Sequence, residues 1–111
     1  MLIALIALIA LIACVTEASF PERFAGALCD YHAACNGRDE WAPDGAERDA
    51  CVTLYATEEA PDYMVCHEDF PADLAAACIR EIEDDTDVEH GGGCEGGAAW
   101  PSCEAMHCGV T

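Results

Sequence analysis

Three side chains that can bind metal ions recur at intervals of three residues, at Cys29, His32 and Cys35. In a helix this spacing places them along one slowly drifting stripe, within reach of a single ion. Zinc takes four ligands. The histidines that could supply the fourth are His67, His90 and His107. We expect two half-cystines and a surface histidine instead, because C-x-x-H-x-x-C is not a standard zinc spacing.

A second candidate for metal binding is the acidic run, in which Asp85, Asp87 and Glu89 alternate as do ligands one, three and five of an EF-hand calcium loop. The match ends there, since His90 stands where the loop needs glycine and Gly96 where it needs glutamate. The pattern excludes a high-affinity EF-hand and allows only weak binding of divalent ions.

The sequence lacks the usual motifs of catalysis. It has no C-x-x-C pair for redox chemistry, and no G-x-S-x-G motif surrounds Ser19 or Ser102. It contains no lysine, so a phosphate-binding loop would lack its cation. We expect no enzyme activity, no catalytic residues, no metal and no cofactor.

Nine cysteines in 111 residues are the strongest chemical signal. We predict that the eight after Cys14 form four disulfides, because an exported chain of this size is expected to pair its thiols. They are Cys29, Cys35, Cys51, Cys66, Cys78, Cys94, Cys103 and Cys108. Eight cysteines allow 105 connectivities. The one pairing we favour is Cys35 with Cys51, which antiparallel packing of the first two helices would bring near each other.

The segment after residue 13 is poor in large apolar side chains. Its 98 residues include 13 Leu, Ile, Val and Phe, together with all 22 acidic residues, and it carries a net charge of −18. Such a composition alone is typical of a disordered chain. Four disulfides at about 2 to 4 kcal/mol each could replace much of the missing core. We therefore predict a domain that loses its fold when it is reduced.

The charge also restricts partners. Four arginines face 22 acidic residues, and such a surface repels nucleic acid and anionic lipid. We expect no nucleic-acid partner. The acidity is better explained as an adaptation to solubility and salt than as a ligand site, because ions screen the repulsion between like charges.

The chain begins with four Leu-Ile-Ala triplets that end at Ala13. Residues 2–13 would form about 18 Å of helix, too short for a hydrocarbon core of about 30 Å. The run predicts a secretory signal, although no Lys or Arg precedes it. A buried helix is the alternative, but the repeat is apolar on every face. We predict a signal peptide at 1–13, a tether at 14–18 and one domain at 19–111.

Leu11-Ile12-Ala13-Cys14 resembles the lipobox of bacterial lipoproteins. That resemblance implies that the Cys14 thiol receives a diacylglyceryl group and becomes the new amino terminus, with acyl chains such as palmitate holding the protein to a membrane. In enteric lipoproteins Asp after the cysteine favours inner-membrane retention. Here Val15 follows it, so the analogy implies the outer membrane, on its periplasmic or outward face. Assigning Cys14 to lipid also leaves an even number of cysteines.

The first helix is well signalled. Ser19 and Glu22 have the spacing of a capping box, Pro21 suits a first turn, and Asn36-Gly37 suit a stop. One apolar face is predicted to hold Phe20, Phe24, Leu28, Tyr31 and Cys35.

Two further helices follow. Asp44 and Glu47 repeat the capping spacing, and Pro61 is expected to end the second helix. Its inward residues are predicted to be Cys51, Leu54 and Tyr55. The third is predicted to begin near Phe70-Pro71 and to fray in "EIEDDTDVE", where negative charge opposes the helix dipole. Its inward residues are predicted to be Leu74, Cys78 and Ile82.

The glycine-rich tail is predicted to be a loop that cystines join to the helices. Ser102 could cap a single turn through His107. Trp41 and Trp100 lie in loops and are expected to cover the helices, although exposed tryptophans can also anchor a partner. No β pattern is present. The predicted fold class is all-α, a small disulfide-rich three-helix domain with a cystine-tied Gly-rich tail.

The segments "FAGALCDYHAAC" and "CHEDFPADLAAACIREI", with a final cysteine cluster, are similar to small Ala- and Cys-rich lipoproteins of myxobacteria and related marine delta-type proteobacteria. The resemblance implies location and fold only. We expect a lipid-anchored exported protein with a structural or binding role at the cell envelope, whose partners are the membrane and an envelope protein. The alternatives are an extracytoplasmic metal-binding module and a small disulfide-rich inhibitor-like domain.

Overall fold

A computed structural model describes residues 14–109. Within that range the regular structure is helical and contains no strand. The helices are α1 (Phe20–Cys35), α2 (Arg48–Leu54), α3 (Ala72–Thr86) and α4 (Pro101–Met106). The predicted small all-α, disulfide-rich fold is confirmed, with a fourth short helix inside the tail. The predicted signal at 1–13 lies outside the described residues.

Helix α1 has the predicted bounds, but its start is held differently. Ser19 occupies the N-cap position, yet its side chain makes no capping hydrogen bond to the helix. Its Oγ accepts hydrogen bonds from the Thr16 backbone N–H and hydroxyl, at 2.9 and 3.1 Å. At the other end Asn36 caps the last turn and Gly37 adopts φ +69°, a left-handed conformation that glycine adopts at little cost.

Helix α2 is shorter than predicted. Its backbone widens into a π-helical turn at Tyr55–Glu59 and then tightens into a 3-10 turn at Ala60–Tyr63. Pro61 lies inside that last turn rather than at its end. Proline cannot donate a backbone hydrogen bond, which suits the first residues of a tight turn. The chain therefore continues from α2 to Tyr63 through two short turns, and residues 64–71 then lead to α3 without regular structure.

Two side-chain predictions for α2 are wrong. The N-cap is Glu47, without a side-chain capping bond, so Asp44 does not begin the helix. Leu54 is 42% exposed. Only a narrow stripe of this seven-residue helix is covered, since Cys51 is its one buried residue.

Helix α3 remains helical through its acidic end, so the predicted fraying is wrong. It runs from Ala72 to Thr86 and is followed by a 3-10 turn at Val88–His90. Cys78 and Ile82 are fully buried, as predicted. The acidic end holds its shape because Asp85 turns inward and binds the tail, as described below.

The core lies where α1, α3 and α4 meet. Phe20 stacks on Phe24 at a centroid distance of 5.1 Å, and both rings are buried. Val15 is 3% exposed and belongs to the same core, so packing begins within the segment predicted as a tether. The other large apolar members of the buried cluster are Leu28, Tyr31, Ile79, Ile82 and Met106.

The tail is more structured than a loop. A 3-10 turn at Gly96–Ala99 leads into α4, whose N-cap is Trp100. Ser102 therefore lies inside α4 rather than at its cap. Its backbone N–H and its hydroxyl donate to the two carboxylate oxygens of Glu81 on α3, at 2.8 and 2.6 Å. This pair of hydrogen bonds joins the start of α4 to α3.

Four disulfides connect the helices and the tail, and they use every cysteine after Cys14. The pairs are Cys29–Cys51, Cys35–Cys94, Cys66–Cys108 and Cys78–Cys103. The favoured Cys35–Cys51 pairing is wrong. The part of α1 that faces α2 is the turn containing Cys29, whereas Cys35, at the end of α1, meets the tail at Cys94.

Candidate functional site

The three residues first considered as zinc ligands do not form a metal site. Cys29 is bonded to Cys51 and Cys35 to Cys94, so neither offers a thiolate. The zinc interpretation of Cys29, His32 and Cys35 is therefore overturned, and the half-cystine interpretation is confirmed.

His32 has an aromatic environment instead. Its ring stacks on Tyr55 at a centroid distance of 5.7 Å and an interplanar angle of 12°, and it meets Trp41 edge-on. Burial, and secondarily the charge of Arg38, lower the pKa of His32 below its usual value. The neutral ring therefore acts as a packing element between α1 and the turn after α2.

The acidic run does not converge on a common point. Asp87 binds His90, with Nδ1 2.8 Å from the carboxylate, and Glu89 is exposed. Asp85 is 5% exposed and faces the tail. The three carboxylates therefore point to different surroundings, and the run does not form a calcium loop.

Asp85, near the end of α3, binds the tail at three points. Its Oδ1 accepts the backbone N–H of Glu95 at 2.8 Å, and its Oδ2 accepts the backbone N–H of Gly96 at 2.9 Å. The indole N–H of Trp100 donates to the same Oδ2 at 3.1 Å. Burial acts to raise the pKa of Asp85, but these hydrogen bonds outweigh it and lower the pKa below its usual value. An ionised carboxylate therefore organises the glycine-rich segment.

The backbone of the tail passes very close to α3, which explains part of its glycine content. A Cβ at Gly92 would collide with the backbone oxygens of Asp84 and Asp85. Cys94 adopts φ +51°, in the left-handed region. It is held there by its disulfide to Cys35 and by the Tyr31 hydroxyl, which donates to its carbonyl at 3.2 Å.

Both tryptophans pack over the helices, as expected, and neither is buried or fully exposed. Trp100 meets Tyr31 edge-on at 5.0 Å. Trp41 packs against His32 and Tyr55, and the Arg38 guanidinium lies 3.8 Å from its ring centroid. Arg38 thus forms a cation–π contact.

Arg48, at the start of α2, joins that helix to α1 and to the loop between them. Its Nη1 donates to the carboxylate of Asp30 at 2.5 Å and to the carbonyl of Trp41 at 3.0 Å, and its Nη2 donates to the carbonyl of Gly26 at 3.4 Å. Because the guanidinium reaches three acceptors at once, it fixes the position of a short helix that has little core of its own.

One end of the molecule contains both a cavity and an accessible disulfide. The cavity has a volume of about 510 Å³. Its lining residues are Tyr63, Gly97, Trp100, Cys103, Glu104 and His107. The His107 ring meets Tyr63 edge-on at 4.8 Å, and the disulfide of the next residue, Cys108, links this end to Cys66.

Beside the cavity lies the one group of three metal-type ligands that the structure brings together within residues 14–109. The two Sγ atoms of Cys66 and Cys108 and a ring nitrogen of His67 all lie within 4.8 Å of one another. In this structure the two sulfurs are bonded to each other. The group is therefore a disulfide with an adjacent imidazole.

Comparison of the chain with protein-family models, curated proteins and solved structures gives no match. Among the helices of residues 14–109, none combines the length and apolar character needed to cross a bilayer.

The sequence pointed to Asp85 and His67 only as candidate metal ligands of other sites and did not single out Arg48, although all three residues determine this architecture. The structural role of Asp85 could not be told apart from that of its acidic neighbours. The glycine-rich segment that follows was the available signal, because its free backbone N–H groups need an acceptor at the acidic helix end. Arg48 is one of four arginines, a scarcity that could have marked it. His67 stands directly after a cysteine, as His107 stands directly before one.

Proposed function

We propose that this chain is an exported lipoprotein whose compact acidic domain is held at the cell envelope through Cys14 and presents a rigid surface to another envelope component. The observation that carries the proposal is the division of the cysteines. Eight form disulfides, whereas Cys14, exposed at the first described residue, has no disulfide partner within residues 14–109.

Disulfides support an extracytoplasmic location, because they persist in oxidising compartments and are rare in reducing ones. The lipobox-like residues before Cys14 support the anchor.

The distance between the anchor and the domain would be short. Val15 is in the core, and the Arg23 side chain donates to the carbonyl of Cys14 at 3.0 Å. An acylated Cys14 would therefore hold the folded body close to the membrane surface. Because α1 begins near the anchor, its first turn would lie at the membrane-facing side.

The proposed binding role depends on rigidity. Disulfides and the Asp85 network fix the loops, and a surface that loses little conformational entropy binds at lower cost. An envelope protein with a basic face is the partner that such a surface fits, because opposite potentials accelerate and orient association.

The anchor is tested by expressing the full chain in a bacterium that exports lipoproteins and labelling it with radioactive palmitate. We expect label and membrane association in the wild-type protein and loss of both in Cys14→Ser. The matched control is Cys66→Ser/Cys108→Ser, which retains Cys14 and should keep the label. Unlabelled wild-type protein with free thiols in the cytosol would contradict the proposal. Crosslinking in native membranes would then identify the partner.

A further inference from the structure

The Cys66–Cys108 disulfide has surroundings unlike those of the two disulfides that lie in the helical interior. Cys66 is exposed and Cys108 is partly exposed. By contrast Cys78 is fully buried and Cys103 is 4% exposed, and Cys29 and Cys51 are as deeply buried. Accessible disulfides are the ones that thiols attack and reduce first. In the fourth disulfide, Cys35 and Cys94 are both partly buried and pack against the core. Because Cys66 is the only exposed half-cystine within residues 14–109, we expect Cys66–Cys108 to be the first bond that a reductant opens.

The hydrogen bonds around this disulfide favour one direction of attack. The backbone N–H of Cys66 points at the Sγ of Cys108 at 3.1 Å. That donor would stabilise negative charge on Cys108, making its sulfur the better leaving thiolate. The attacking thiol would then bond to the exposed Cys66 sulfur.

A hydrogen bond holds the His67 ring beside the two sulfurs. Its Nε2 lies 2.8 Å from the carbonyl oxygen of Met106. A carbonyl can only accept a hydrogen bond, so Nε2 carries the proton and Nδ1 carries the lone pair. Metal-binding histidines almost always donate their other N–H to such a group. The hydrogen bond therefore fixes both the tautomer and the ring.

We propose that reduction of the Cys66–Cys108 disulfide converts this end of the molecule into a zinc site made by Cys66, His67 and Cys108. A dithiol reductant would supply two electrons and two protons and leave as its own disulfide. Binding of Zn²⁺ then releases the two thiol protons, giving two thiolates and one imidazole around the ion, with water as the fourth ligand.

Two further features support this site. Soft thiolates with an imidazole are a ligand set that selects zinc, and the net charge of −18 concentrates cations near the surface. His107 is not assigned as the fourth ligand, because its Nδ1 accepts the backbone N–H of Gly109 at 3.1 Å.

The consequence is a link between the end of α4 and the segment before α3 that survives reduction. In the oxidised protein a covalent bond joins Cys66 to Cys108. In the reduced protein the metal would bridge the same two sulfurs. The end of the chain at Cys108 would separate from Cys66 only when the two thiols were reduced and metal was absent, and the rest of the tail would stay bound through Cys94 and Cys103.

The test uses the purified oxidised protein, which is treated with a limiting amount of a dithiol that is then removed. Mass spectrometry should show a gain of about two hydrogens at the Cys66 and Cys108 peptides before any other half-cystine becomes reactive. Addition of Co²⁺ should then give a sulfur-to-cobalt charge-transfer band that Zn²⁺ abolishes. The oxidised protein should give no band.

Matched variants identify the ligands. His67→Ala should weaken Co²⁺ and Zn²⁺ binding by about 10-fold or more, and Cys66→Ser/Cys108→Ser should abolish the band. His90→Ala, which removes an exposed histidine paired only with Asp87, should leave binding unchanged. As a second readout, Zn²⁺ should raise the thermal unfolding midpoint of the partly reduced wild-type protein and not that of the double variant.

Three results would overturn the proposal. One is prior reduction of a different disulfide. Another is loss of the helical circular dichroism when the first disulfide opens, which would mean that no folded site remains. The last is equal metal affinity in the wild type and His67→Ala.

Discussion

The helical interior and the Cys66–Cys108 end use the same covalent bond in opposite surroundings. In the interior, Cys78–Cys103 lies between α3 and α4 among buried side chains such as Ile82 and Met106. At the Cys66–Cys108 end, the bond is accessible and stands beside His67 and a cavity. Disulfides therefore have two roles in this protein. Cys78–Cys103 forms part of a small core, whereas Cys66–Cys108 joins two segments at the surface, where reductants can reach it.

This difference shows why a chain with so few large apolar residues can fold. Disulfide sulfur is itself apolar volume, and Cys29, Cys51 and Cys78 rank among the largest fully buried side chains. Each interior disulfide therefore both restricts the unfolded chain and fills space in the core. The accessible Cys66–Cys108 disulfide restricts the unfolded chain but fills no space in the core.

The strongest test of the comparison removes one disulfide from each region. Chain entropy alone favours the longer loop, giving about 3.5 kcal/mol for the 25-residue Cys78–Cys103 separation and about 4 kcal/mol for the 42-residue Cys66–Cys108 separation. Burial reverses the order, because each deleted interior sulfur adds about 0.5 to 1.5 kcal/mol for lost packing.

We therefore expect Cys78→Ala/Cys103→Ala to lower the free energy of unfolding by about 5 kcal/mol and Cys66→Ala/Cys108→Ala by about 4 kcal/mol or less. Urea unfolding of both variants measures the difference. A greater loss in the Cys66/Cys108 variant would mean that loop length, not packing, decides the contribution of these bonds.

Asp85 provides the next test, because it joins α3 to the tail without a covalent bond. Asp85→Asn keeps one acceptor oxygen but places an amide where donors converge. We expect it to lower the free energy of unfolding by about 2 to 3 kcal/mol, the penalty for leaving a buried donor unpaired. Asp84→Asn, on the exposed side of the same helix, is the control and should change it by less than about 0.5 kcal/mol.

The Asp85 carboxylate should also make the stability of the protein depend on pH. The pKa of Asp85 is lower in the folded protein than in the unfolded chain, so its contribution is present above the unfolded value near 4 and is lost as pH falls through the folded value. The difference in stability between wild type and Asp85→Asn should therefore be constant from about pH 5 to 7 and shrink below about pH 4.

Urea midpoints of both proteins measured over this range provide the check. Burial raises the pKa of Glu83, so its contribution to stability changes with pH in the opposite sense. That contribution cancels in the difference, because wild type and Asp85→Asn both contain Glu83. A difference that grew on acidification would contradict the assigned role of Asp85.

Arg48 tests the short helix α2, which lies outside the main core. Arg48→Lys should lower the free energy of unfolding by about 1 to 2 kcal/mol, because one ammonium cannot reach Asp30 and the carbonyls of Gly26 and Trp41 together. The matched control is Arg80→Lys on α3, an exposed arginine that should tolerate the change. Equal effects of the two substitutions would mean that Arg48 contributes only its charge.

The smallest expected effect is at Ser19. A serine that caps a helix typically contributes about 1 kcal/mol. Here the hydroxyl binds Thr16 instead of the helix. Ser19→Ala should therefore lower the free energy of unfolding by only roughly 0.3 kcal/mol. Thermal unfolding of the variant distinguishes the two values. A loss near 1 kcal/mol would mean that the Ser19 side chain caps the helix, as its spacing from Glu22 predicts.

Local patterns predicted much of this fold. The bounds of α1 and the start of α3 follow from apolar periodicity and from proline and glycine positions, which act over a few residues. The number of disulfides followed from composition. Their pairing did not, because whether Cys35 meets Cys51 or Cys94 depends on how far α2 lies along α1, and no local pattern encodes that distance.

The errors at α3 and α4 share a physical cause. A run of acids predicts a frayed, solvated helix end when each carboxylate is considered alone. The glycine-rich tail supplies N–H donors to one of them, Asp85, and that tertiary contact outweighs the unfavourable dipole. Ser102 was likewise expected to cap its own helix, whereas Glu81 of a neighbouring helix binds it. The proximity of His67 to Cys108 and its hydrogen bond to Met106 are also tertiary, since the partners are about 40 residues apart in sequence.

The central claim is that disulfides, rather than an apolar core, keep this acidic domain folded. Its most direct test is the far-ultraviolet circular dichroism and urea unfolding of the fully reduced protein, with a chelator present so that no metal replaces the bonds. We expect the helical signal to fall and the cooperative transition to disappear. A reduced, metal-free protein that remained helical and unfolded cooperatively would contradict the account.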